Sequence, residues 1–111
     1  MIEDNELLSD FIEESKENLA IAEEDFLSLE SQGKSADPST INRAFRCVHS
    51  IKGGAGFLGM VKIGELAHAM EAMMDLVRQN KLQPDKKNIT MMLKGVDHLN
   101  SMFDNSVQSN D

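Results

Sequence analysis

Residues 37 to 59 read DPSTINRAFRCVHSIKGGAGFLG, and the spacing of their apolar side chains decides the fold class. Ile41, Ala44, Val48, Ile51 and Ala55 recur at steps of three and four, which gathers them on one face of an α-helix, where a strand would need strict alternation. The beginning of this helix is marked. Asp37 is suited to the N-cap, where its carboxylate can accept a backbone N–H of the first turn, and Pro38 fits the first helical position, whose N–H has no intrahelical partner in any case. The other end is less well defined. A glycine inside a helix costs about 1 kcal/mol relative to alanine, so the helix is expected to weaken through Gly53, Gly54, Gly56 and Gly59.

Working outward, Leu8, Phe11, Ile12, Ser15, Leu19, Ala22, Phe26 and Leu29 repeat the same spacing, with acids between them, and predict a first amphipathic helix ending around Ser31 to Gly33. Ile63, Leu66, Ala67, Met70, Met73, Met74 and Val77 predict a third, ending near Asn80 before the loop with Pro84 and Asp85. Ile89, Met92, Leu93, Val96, Leu99 and Phe103 predict a fourth. No period-two stretch or Asn-Gly hairpin signal occurs, and the connections are short, which favours antiparallel neighbours. The expectation is an all-α, antiparallel up-down four-helix bundle over residues 1–105, followed by a polar, frayed tail or linker start over residues 106–111.

The 111 residues suffice for one core, and 41% hydrophobic content is enough to build it. No apolar run approaches the roughly 18 residues of a membrane span, and the acidic opening MIEDNELLSD is unlike a signal peptide, so a cytoplasmic location is expected. The single cysteine, Cys47, excludes an internal disulfide and a multi-cysteine zinc site. A net charge of −8 disfavours nucleic acid and anionic membranes as partners. That charge is unevenly placed. Eleven of the nineteen acids lie in residues 1–30, whereas residues 38–62 carry Arg43, Arg46, Lys52 and Lys62 and no acid.

His49 lies in this locally positive segment. At about 100° per residue it falls about 120° from the centre of its helix's apolar stripe, on the flank of the core face. At helical spacing around it are Phe45, Arg46, Lys52, Gly53 and Gly56, which gives the ring a cationic side and a side of nearly bare backbone. These residues read as a docking surface, with Gly53 clearing a path to the ring and Gly56 and Gly59 equally compatible with a helix end. An imidazole suits reversible phosphoryl carriage, being partly neutral near pH 7 and nucleophilic at one nitrogen while an acceptor holds the other. Glu71 is the best candidate for that acceptor, at about 100° from the apolar centre of the adjacent third helix. His68 precedes it by one turn. Arg46 and Lys52 are placed to attract an acidic partner and meet a phosphoryl group.

The run His49-Ser50-Ile51-Lys52-Gly53-Gly54-Ala55-Gly56-Phe57-Leu58-Gly59 resembles the H-x-x-K-G signature of histidine-phosphotransfer (HPt) domains, later glycine included. His68-Ala69-Met70-Glu71 is similar to the second histidine and acid of the CheA subgroup of chemotaxis kinases. The resemblance implies a helical bundle with His49 as phosphoacceptor, Glu71 orienting the imidazole, and Lys52 and His68 as neighbours. It further implies a domain that is not itself an enzyme, monomeric and without its own cofactor. ATP would act through a separate kinase domain, and phosphate would pass to a CheY-like receiver domain that carries Mg2+. Nothing in the chain resembles dimerisation, ATP-binding or receptor-coupling domains.

Two other readings compete. An HPt relay between receiver domains would use His49 identically. A metal-binding bundle is suggested by the Glu-x-x-His unit Glu65 to His68, but the residues before His98 supply no second unit. Met70, Met73, Met74, Met91 and Met92 could line an adaptable groove, yet at helical spacing they read as core.

Overall fold

The computed structural model describes residues 2–109. It comprises α1 (Ile2–Gln32), a short 3-10 turn (Gly33–Ser35), α2 (Pro38–Leu58), α3 (Val61–Arg78) and α4 (Lys86–Ser109). Each helix packs against its sequence neighbours, and α4 closes the ring against α1. Cross-helix pairs give the directions. Asp25 meets Arg43 while Phe11 meets Gly54, so α1 and α2 are antiparallel. His49 meets Glu71 while Arg78 meets Phe45, so α2 and α3 are antiparallel too. The four-helix bundle is the expected one. At about 1.5 Å per residue the 31 residues of α1 run nearly the full 49 Å length of the molecule.

The expected stripes form the core: Leu19, Phe26, Leu29, Val48, Ile51, Met74, Ile89, Leu99 and Phe103 are among the buried residues. Met70, Met74 and Met92 belong to it and Met73 packs against it, whereas Met91 is half exposed. Asp37 caps α2 by accepting the Ser39 N–H at 3.0 Å, with Pro38 following it at the helix start. One polar feature of the interior is absent from the apolar pattern. The Asp25 side chain, only 3% exposed, accepts from Arg43 Nε at 2.9 Å and Nη2 at 2.5 Å, clamping α1 to the first turns of α2. Cys47 is buried nearby, and desolvation pushes its thiol up, which keeps it protonated and unreactive.

Two expectations need correction. α2 does not weaken through its glycines; it stays helical to Leu58 and stops only at Gly59, whose φ of 74° closes the C-cap. Gly54 explains part of this continuity, because a Cβ there would lie 2.2 Å from Phe11 Cε1, and the close approach of α1 to α2 depends on its absence. Residues 106 to 109, expected in a frayed tail, continue α4. No proline or glycine interrupts the chain there, and Ser106 Oγ bonds back to the Met102 carbonyl at 3.0 Å. Residues 110 and 111 lie outside the described ones. No described helix is long and apolar enough to cross a membrane.

Candidate functional site

Two columns of side chains face each other across the α2–α3 seam. On α2, Phe45, His49 and Lys52 stand at spacings of four and three; on α3, Glu71, Asp75 and Arg78 do the same. Because the helices are antiparallel, His49 and Lys52 both fall opposite Glu71, and Phe45 falls opposite Arg78. Each spacing keeps its residues on one stripe of a helix, which is how residues 22 positions apart in sequence come into contact.

Glu71 is the centre of the arrangement. Its side chain is 12% exposed; Oε2 bonds His49 Nδ1 and Oε1 accepts from Lys52 Nζ at 2.7 Å. Burial by itself raises a carboxyl's affinity for protons, but the hydrogen bonds from Lys52 and His49, followed by their charges, outweigh it and hold Glu71 below its ordinary value. An ionised carboxylate can only accept. The proton of this contact therefore sits on His49 Nδ1, which leaves Nε2 as the ring nitrogen that can carry a lone pair. The ring itself is 59% exposed.

The surroundings of the ring differ on its two sides. Helical side chains lean towards the N-terminus, so His49 leans towards Phe45, and the two rings stack with centroids 5.9 Å apart and planes 11° from parallel. On the C-terminal side is Gly53. A Cβ at Gly53 or at Gly56 would meet nothing within 4 Å, so neither glycine is required by close packing. Beyond them Lys52, Gly56, Met60, Gly64 and His68 line a shallow groove between the end of α2 and the start of α3.

All of the residues expected at the site lie on this face, but their parts differ. His49, Glu71 and Lys52 form one hydrogen-bonded unit. Lys52, expected as a neighbour of His49 and as a cation to meet phosphate, is engaged with the acid; an ammonium has further N–H donors to offer. His68 is exposed on the groove wall and takes no part in the hydrogen bonds around Glu71. Arg46, three residues before His49 on α2, is exposed. Among the described residues no group of three or more His, Cys, Asp or Glu is placed to hold a metal ion, and Glu65 and His68 gain no further ligand. Arg78 was missed by sequence reasoning. Its guanidinium carbon stands 4.1 Å from the Phe45 ring centroid, and its one signal in the sequence was its place seven residues after Glu71.

The Hpt domain family matches residues 6–108 of the chain. The chemotaxis protein CheA of Rhizobium meliloti (strain 1021) is 41% identical over 86% of the chain, and CheA of Borreliella burgdorferi is 31% identical over 92%. The chain spans only about 12% of the length of each of these relatives. Among solved structures, the CheA phosphotransferase domain from Thermotoga maritima superposes with a TM-score of 0.84 at 32% identity, covering 92% of this chain and 95% of that one. The phosphorylated P1 domain of CheA3 in complex with CheY6 from R. sphaeroides also gives 0.84, at 25% identity over 95% of this chain and 80% of that one.

Proposed function

The chain belongs to the Hpt domain family, and from that premise we propose that it carries a phosphoryl group on His49 between a CheA-type kinase domain and the receiver domain of a response regulator. The observation that carries this reading is the exposed imidazole whose Nδ1–H is held by the ionised, largely buried Glu71, which leaves Nε2 as the nitrogen free of that contact. In the first step Nε2 attacks the γ-phosphorus of ATP held by the kinase domain. An N–P bond forms, the bond to the bridging oxygen breaks, and ADP leaves with that electron pair. In the second step a receiver aspartate oxygen attacks the same phosphorus, with Mg2+ on the receiver neutralising charge, and the N–P electron pair returns to Nε2. The Nδ1 proton stays on the Glu71 side throughout.

The domain on its own acts as phosphoacceptor and carrier, and ATP enters only through the kinase domain. The likeness to several CheA proteins supports this source of phosphate over a relay between two receivers. The structural likeness to a phosphorylated P1 domain in complex with CheY6 supports a CheY-like acceptor.

The test is to incubate the chain and its His49→Gln variant with a CheA-type kinase domain and labelled ATP, then to add a receiver domain. Acid-labile, base-stable label is expected on the wild type, to be drawn off by the receiver, and to be absent from the variant. Wild-type labelling of His49→Gln would overturn the assignment.

A further inference from the structure

His49 is held at one edge by Glu71, but a single hydrogen bond leaves an imidazole free to swing about the bond axis. The face of the ring must be fixed by something else. Phe45 lies one turn earlier on α2 and stacks against that face, 5.9 Å between centroids. Phe45 is itself only partly buried, so the bundle core does not by itself fix its ring. The missing constraint comes from the last turn of α3, where the Arg78 guanidinium carbon lies 4.1 Å from the Phe45 centroid. Arg78 is fixed in turn: its Nη2 donates to Asp75 Oδ1 at 2.7 Å, and the other Asp75 oxygen accepts from Gln79 Nε2 at 2.7 Å. The order of contacts is therefore Asp75, Arg78, Phe45, His49, across two helices.

Resting on the phosphoacceptor reading, we propose that Phe45 and Arg78 are positioning residues for His49: the stack fixes the plane of the imidazole so that Nδ1 stays on Glu71 and Nε2 points along the open side above Gly53. Phe45 closes the N-terminal side of the ring, and Gly53, four residues after His49 where Phe45 is four before, leaves the C-terminal side bare. An incoming phosphorus thus has one approach. In-line displacement depends steeply on such alignment, since small misplacements of reacting atoms carry large rate costs. A docking role for the same two residues predicts something different, because loss of docking contacts would weaken the encounter with the kinase domain and leave the bound ring's geometry intact.

The experiment has two arms, both on the 111-residue chain. In the first, nitrogen-resolved NMR of the unphosphorylated chain reads the His49 tautomer and ring shifts at a pH where the ring is neutral. Wild type should hold the proton on Nδ1; Phe45→Leu should shift the population towards the mixture of a free imidazole, and Phe45→Tyr should restore it. Arg78→Gln keeps the Phe45 side chain itself but removes the guanidinium that holds its ring, so the ring-current shift of His49 should fall. In the second arm, a separate CheA-type kinase domain with MgATP should phosphorylate Phe45→Leu with kcat lowered about two- to tenfold, the range of an aromatic stacking contribution, and KM unchanged. Arg78→Gln should lie between, with Arg78→Lys partly restoring it.

An unchanged tautomer together with an unchanged kcat would overturn the inference, as would a raised KM at constant kcat. Absence of phosphate from wild-type His49 would instead remove the phosphoacceptor reading, and the NMR arm would still decide whether Phe45 and Arg78 position the ring. Arg78 is exposed, so its variants read the effect even where Phe45→Leu loosens the bundle.

Discussion

His49 and Glu71 meet across the α2–α3 seam with the ring's Nδ1 on Oε2, while Lys52 occupies Oε1 of the same carboxylate. One acid thereby sets the tautomer of the candidate phosphoacceptor and fixes a cation one turn away. Lys52 neutralises much of the carboxylate's charge, so Glu71 can orient the ring without standing as an uncompensated anion in the path of a phosphoryl group.

Because Glu71 orients the ring but does not supply the nucleophile, Glu71→Ala should slow phosphorylation of His49 without abolishing it. The imidazole keeps a lone pair in either tautomer, and only its preferred orientation is lost. Timed labelling with a CheA-type kinase domain checks this, and wild-type kinetics would mean that the acid does not control the ring.

The same carboxylate gives a pH dependence of stability. In the folded chain Glu71 titrates below its ordinary value of 4.5, whereas the unfolded chain regains that value. Between the two the unfolded state binds more protons, so the stabilisation is complete above about pH 4.5 and disappears as pH falls through the folded value. Glu71→Gln should be less stable at pH 7 by about 1 kcal/mol, the scale of one charge-assisted hydrogen bond near the surface. The gap from wild type should close in melts taken at successively lower pH below 4.5.

The neighbouring glycines should respond in opposite directions. Gly53→Ala places its Cβ in open space and should stabilise the chain by up to about 1 kcal/mol through helix propensity. Gly54→Ala would drive its Cβ into Phe11, whose ring is braced edge-on against Phe103 at 5.7 Å. Overpacking of this kind costs about 1–3 kcal/mol, so Gly54→Ala should melt lower than wild type. Equal melting points for the two variants would contradict the packing at Phe11.

Access to His49 can be separated from folding by Gly53→Gln. Its longer side chain covers the open side of the ring, so phosphotransfer should slow while the melting temperature holds or rises by the propensity difference. Unchanged transfer in this stable variant would show that the bare backbone at Gly53 is not an approach path.

Exchanging His68 for glutamine should leave His49 able to accept phosphate. His68 lies on the groove wall outside the hydrogen bonds of Glu71, so only a modest change in rate is expected. Loss of labelling equal to that of His49→Gln would require His68 to touch the reacting atoms.

The sequence by itself determined the four helices, their core faces and the histidine. The three- and four-residue spacing of Ile41, Ala44, Val48, Ile51 and Ala55 allows one buried face whatever the partner helix is, and the Asp37-Pro38 start is a local signal read within one turn. Glu71 was legible as well, since wheel position and antiparallel pairing together put it near His49. The tertiary structure decided what depends on the register between helices. Gly53 and Gly54 are identical in sequence, yet one faces open space and the other Phe11, a difference that exists only once α1 is docked. Asp25 reads as one acid among many on α1 until Arg43 is brought to within 2.9 Å of it. Arg78 likewise acquires its place over Phe45 only when α3 packs against α2. Periodicity is a property of one helix, whereas a contact depends on the offset and rotation of two, and those are set by the packing of the whole core.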